Sequence, residues 1–142
     1  MRRSYHILIV LSALLGFVFA SCAPPGPPIS EVIQSFETLA NEKDVEGTMA
    51  LFARNAVVEE TFRGAVFDTP EEIASLWRMY YRMSPPAEFR DISIDGDTAT
   101  FIWAEVSSMS TSLWPVVIEV KNGKITYMDY YEDSTLVFPG DS

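Results

Sequence analysis

Three spacings of apolar residues succeed one another along this chain, and each predicts a different kind of structure. Ile7 to Ala20 is an uncharged apolar run, shorter than the ~20 residues a helix needs to cross a bilayer. Beyond residue 30 the period becomes helical. Val32, Ile33, Phe36, Leu39 and Ala40 share one side of a first helix that Ser30 is placed to cap, leaving Glu31, Gln34, Glu37 and Thr38 outside. Asn41 to Lys43 breaks it. Asp44 caps a short second helix carrying Val45, Met49 and Phe52, and Ala56-Val57-Val58 reads as a strand. Thr69-Pro70-Glu71-Glu72 joins an N-cap, a first-turn proline and a capping-box glutamate, so a third helix runs with Ile73, Leu76, Trp77, Tyr80 and Tyr81 as its stripe until Pro85-Pro86.

After that the period shortens to two. Ile92 and Ile94 lead into an Asp95-Gly96 turn, Phe101, Trp103 and Glu105 alternate beyond it, and Trp114, Val116, Ile118 and Val120 share a face of the next strand. Asn122-Gly123 marks a second hairpin, and Ile125 to Asp133 forms the last strand. Helices followed by an antiparallel meander is an α+β plan. Both faces of the 99 to 106 strand are apolar enough to be covered, one by the helices; a second subunit over the other leaves a homodimer as an open alternative.

The start of the chain reads as an export signal. Met1 to His6 is basic, the apolar run follows, and Ala20-Ser21 supplies small residues for cleavage. Phe19-Ala20-Ser21-Cys22 resembles the bacterial lipobox, in which a cysteine after two small residues is acylated, with palmitate-like chains, before the leader is removed. A plain secretion signal remains the alternative. The resemblance implies a membrane anchor at Cys22 in the cell envelope, outside the cytoplasm. Ala23 to Pro28 is proline-rich and predicts a semi-rigid spacer. The expected division is a signal at 1–21, a tether at 22–28, one domain at 29–138 and a tail at 139–142.

Composition narrows the chemistry. Without Arg2 and Arg3 of the leader, 8 basic side chains face 20 acidic ones, so nucleic acid is not expected as a partner and an anionic membrane surface would repel the domain. Cys22 and His6 are the only cysteine and histidine, and neither lies in the domain. Intrachain disulfides, zinc sites and histidine-based triads are therefore excluded. No metal and no cofactor is expected.

Residues 47 to 60, ending Leu-Phe-Ala-Arg-Asn-Ala-Val-Val-Glu-Glu, the glycine and Glu-Glu-Ile helix start within 64 to 77, and Gly123-Lys124-Ile125 with Tyr131 and Asp133 carry a family likeness. Over roughly 30 to 138 the chain resembles the nuclear-transport-factor-2-like superfamily, particularly its SnoaL-like, polyketide-cyclase branch. That resemblance implies a cone: a curved antiparallel sheet wrapped by three N-terminal helices around an apolar pocket. Relatives use the cone for isomerases, dehydratases, epoxide hydrolases and cyclases, or for non-catalytic binding. A small apolar or amphipathic ligand is the implied partner.

Isolated polar groups facing such a pocket would carry any chemistry, since desolvation makes a carboxylate a better base near neutrality. Strict alternation puts Tyr127, Asp129, Tyr131 and Asp133 on one face of the last strand. Asp129 is the candidate base of a cofactor-independent isomerase, dehydratase or cyclase, with Tyr127 or Tyr131 as hydrogen-bond donor; the competing reading is a solvent-facing strand aspartate. Glu105 and Glu119 are candidates for the cavity mouth. Trp77, Tyr81, Trp103 and Trp114, with Tyr80, form a candidate aromatic wall, or ordinary core, and Glu59 or Glu60 a candidate ligand contact unless paired with Arg63.

Overall fold

The computed structural model describes residues 25–131. The leader, Cys22, Asp133 and the 139–142 tail lie outside the described residues. Three helices, α1 (Ile29–Glu42), α2 (Val45–Leu51) and α3 (Pro70–Met83), accompany six strands: β1 (Phe52–Glu60), β2 (Ala65–Phe67), β3 (Ala87–Asp95), β4 (Thr98–Val106), β5 (Thr111–Lys121) and β6 (Lys124–Tyr130). The strands form one sheet in the order β2-β1-β6-β5-β4-β3. The α+β plan is as the sequence predicts, but the sheet is mixed. β1 runs parallel to β6, because α3 and four strands separate them and return the chain beside β1 in the same direction.

Local signals act where the sequence places them. Asp44 accepts a hydrogen bond from the Gly47 N–H, and Thr69 and Glu72 complete a reciprocal capping box around Pro70. Two boundaries move: α1 begins a residue before Ser30, with Pro28 as its N-cap, and Phe52, expected on the second helix, instead opens β1, which runs well beyond the expected Ala56–Val58. At Asn122-Gly123 both residues have positive φ (52° and 71°), as a type I′ turn requires. The other hairpin slides by one, since Asp95 pairs with Thr98 and the two-residue loop is Gly96-Asp97. Glu37 and Asn41 are not idle on the outside of α1. Glu37 accepts from the Phe89 N–H, and Asn41 bonds both backbone groups of Ala87, so α1 covers part of the edge strand β3.

The core lies between the helices and the concave side of the sheet. Phe36 is its hub, with Phe52, Trp77, Phe89 and Trp103 edge-on to it at 5.3–6.1 Å, and Trp77 stacks on Trp103 at 6.0 Å. Such pairs add about 0.5–1.5 kcal/mol each beyond area burial. These rings fill the interior. Gly26 and Pro27 pack against the Asn122-Gly123 turn, so closely that a β-carbon at 26 would overlap the Asn122 carbonyl.

Candidate functional site

The last strand carries the decisive irregularity. Ile125 is buried against the core, and unbroken alternation would bring Tyr127 and Asp129 in beside it. A register shift between β5 and β6 at Glu119/Val120 inserts an extra residue, after which Met128 and Tyr130 face the core and Tyr127 and Asp129 the outer side. Asp129 is only 8% exposed, and it is not among the residues lining the recess of the cone. Its two oxygens accept from the Thr61 N–H (3.1 Å) and hydroxyl (2.8 Å), which ties β6 to the end of β1.

On that outer side the Tyr127 hydroxyl donates to Glu59 at 3.0 Å. Desolvation, this hydrogen bond and the charge of Asp129 push the Tyr127 phenol up to about 12. Glu119 is there too, 3.5 Å from Lys121. Tyr131 ends the described chain, its N–H donating to the Pro115 carbonyl. Asp129 and Tyr127 are thus brought together, but on the face away from the helices.

Inside, the inward-pointing carboxylate of β1 is Glu60 and not its neighbour Glu59. Glu60 is 1% exposed. The turn after it folds Arg63 back, so that Nη2 donates to both carboxylate oxygens at 2.5 Å, and the Tyr80 hydroxyl donates to the same carboxylate. Burial, then the bond to Glu60, raises the Tyr80 phenol above its ordinary range. The Glu60 hydrogen bond raises Arg63 in turn, so the guanidinium stays charged. The x-x spacing of Glu60 and Arg63 was the signal for this pair; which glutamate points inward was not written in it.

Trp77 and Tyr81 are core residues. Trp77 is fully buried, and the Tyr81 hydroxyl shares a hydrogen bond with Thr48 at 2.7 Å. The deep apolar pocket expected here is therefore absent among the described residues. What remains is a recess at the open end of the cone, lined by Tyr80, Trp103, Glu105, Trp114 and Tyr130, with about 10 Å³ of free cavity. That is the room of one water.

Trp103 and Trp114 sit opposite each other on β4 and β5, and Tyr130 lies 5.9 Å from Trp103 and 6.0 Å from Tyr80. Phe62 leans on Trp114 at 5.3 Å, and the Arg63 guanidinium lies 5.0 Å above the Phe62 ring. Glu105 is half-buried and makes no hydrogen bond or ion pair among the described residues. The Nε1 donors of Trp77 and Trp103 are buried without a partner among them. No group of three or more His, Cys, Asp or Glu among the described residues is clustered to hold a metal. The recess offers π faces, one unpaired carboxylate and a buried indole N–H.

Three helices over a curved, unclosed mixed sheet, with an aromatic recess at its open end, define the nuclear-transport-factor-2-like class of α+β domains. The model of the SnoaL-like domain family matches residues 32–128, and the chain belongs to that family. Among solved structures, a candidate polyketide cyclase from Sinorhizobium meliloti is 20% identical at a TM-score of 0.62, covering 71% of this chain and 94% of its own. A nuclear-transport-factor-2-like protein of unknown function from Burkholderia xenovorans LB400 is 14% identical at 0.64, covering 78% and 87%. A protein with a ketosteroid isomerase-like fold from Catenulispora acidiphila, solved in complex with trimethylamine, is 14% identical at 0.58, covering 74% and 87%. At these identities the likeness is one of fold. No curated protein matches the chain.

Proposed function

We propose that this protein is a lipid-anchored, extracytoplasmic binding module that takes a small amphipathic molecule with an alkylammonium group at the mouth of its cone. One observation carries the reading: Tyr80, Trp103, Trp114 and Tyr130 converge on a recess whose carboxylate, Glu105, has no partner among the described residues. Aromatic faces attract cations through their quadrupoles, and a neighbouring carboxylate neutralises the charge. The Arg63 guanidinium over Phe62 already uses that chemistry at the rim. The trimethylamine bound by the Catenulispora protein supports the ligand class. The filled interior limits the ligand to one that seats at the rim or displaces the half-buried Trp114.

The acylated chain in detergent micelles should show quenching of tryptophan fluorescence by tetramethylammonium, and little response to the neutral isostere neopentane-type alcohols. Glu105→Gln removes the ion pair and leaves the aromatic faces, and should weaken the cation by roughly twofold to fivefold, the equivalent of about 0.4–1 kcal/mol for a half-exposed pair. Equal binding of cation and isostere would remove the proposed ligand class. The anchor is tested separately: Cys22→Ser should lose both the acyl mass and membrane retention.

The filled cone favours a second reading, an interaction module pairing through the outer sheet face, where Val57, Ile102, Val117 and Tyr127 are half-buried. Native mass spectrometry distinguishes it, by a dimer without a bound small molecule.

A further inference from the structure

The proline-rich segment ahead of α1 does not leave the domain at once. Gly26 and Pro27 lie in backbone contact with the turn between β5 and β6: a β-carbon at Gly26 would overlap the Asn122 carbonyl, and one at Gly123 would overlap the Pro27 ring. Only glycine fits either position. Gly123 is buried although it is a turn residue, since Pro27 covers it.

The turn sits at the end of the sheet away from the recess. β5 spans Thr111–Lys121, starting beside Trp114 and finishing at the turn, a length of roughly 30 Å at ~3.3 Å per residue. β6 likewise runs from the turn to Tyr130. From Cys22 to Gly26 there are four residues, which reach at most about 13 Å fully extended. A spacer free as far as Ile29 would reach roughly 22 Å in polyproline geometry.

From this we infer that the docked Gly26-Pro27 segment makes the β5–β6 turn the membrane-proximal end of the domain and holds the recess away from the bilayer, open to water. The inference rests on the proposed acyl anchor at Cys22. An inverted domain, mouth down, would lift the turn roughly 30 Å from the surface, beyond the ~13 Å the anchor allows. Charge does not oppose the arrangement. Lys121 and Lys124 flank the turn and leave a net charge of only −1 with Asp95, Asp97 and Glu119 on the neighbouring strand ends, whereas the domain as a whole is strongly acidic. The recess therefore takes its ligand from the aqueous compartment and not from the lipid phase.

The test uses the full acylated chain in phosphatidylcholine vesicles doped with a nickel-chelating lipid, with a nitroxide on Lys121→Cys or on Met109→Cys. Met109 is 95% exposed on the loop joining β4 to β5, at the mouth end. Paramagnetic relaxation of the label at 121 should exceed that at 109 several-fold. Gly26→Val should bring the ratio toward one, with flotation and far-ultraviolet circular dichroism unchanged. Equal relaxation at the two sites in chains that float overturns the orientation, and a ratio indifferent to Gly26→Val overturns the role of docking. Chains that carry no acyl mass and do not float with the vesicles overturn the anchor reading and this inference with it.

Discussion

The Tyr80 hydroxyl donates to the Glu60 carboxylate, joining α3 to the end of β1 across twenty residues of sequence. Glu60 is almost fully buried, and this bond and Arg63 supply its side-chain partners among the described residues. Removing the hydroxyl by Tyr80→Phe leaves one side of a buried carboxylate without a donor, and should cost about 1.5–3 kcal/mol, the range for a hydrogen bond to a charged group. Urea unfolding measures it; a change under about 0.5 kcal/mol would mean that water replaces the phenol.

Alkaline pH should destabilise the domain through its tyrosines. Burial pushes the Tyr81 phenol up to about 12, and holds Tyr80 and Tyr130 above the ordinary phenol range as well. In the unfolded chain these groups ionise near ~10. The folded state retains protons the unfolded state has lost, so this stability is complete below pH ~10 and disappears as pH rises through about 12. Absorbance at 295 nm should show Tyr80, Tyr81 and Tyr130 silent until unfolding. Ionisation of all the described tyrosines near ~10 with near-ultraviolet dichroism intact would contradict the packing.

Asp129 should behave as a structural residue. Its carboxylate holds Thr61 by two hydrogen bonds, so Asp129→Asn and Thr61→Val should each destabilise by about 1–2 kcal/mol and shift cation affinity at the recess less than twofold. Loss of binding at unchanged stability would return Asp129 to the functional site.

The core separates two kinds of aromatic substitution. Phe36→Ala empties the hub and should cost about 3–5 kcal/mol. Trp103→Phe removes volume but also a buried indole N–H that lacks a partner among the described residues, whose desolvation costs about 1–3 kcal/mol. These terms oppose, and the net change in the urea midpoint should be small. The enlarged recess should also bind a bulkier ammonium more tightly, which fluorescence titration would detect.

Thr69→Ala breaks one half of the capping box and should lower stability by about 0.5–2 kcal/mol with no effect on the recess. A shift in ligand affinity would show that α3 moves on binding.

Much of the fold was legible because its determinants are local. The Thr69 box, the Asp44 cap and the Asn122-Gly123 turn depend on residues a few positions apart, and all three stand where the sequence puts them. The first hairpin slipped by a residue because Asp-Gly and Gly-Asp are both good turn pairs; strand register chose between them. The aromatic wall was only half legible. Trp103 and Trp114 reach the recess while Trp77 and Tyr81 are spent on the core, a partition that depends on how far in each helix sits.

By itself the sequence determined the three helices, the later hairpin strands, their order and the α+β class, since periodicity, caps and turns act through near neighbours; the three-residue strand β2 left no such signal. Tertiary structure decided which side of β6 faces the cone, because one inserted residue opposite Glu119/Val120 reverses every side chain after it. It also decided that Glu60 is buried with Arg63 and Tyr80, that the interior is closed by stacked rings, and that the segment before α1 lies on the β5–β6 turn. Apart from Glu60 and Arg63, which are three residues apart, these contacts join residues distant in the chain, and no spacing along it encodes them.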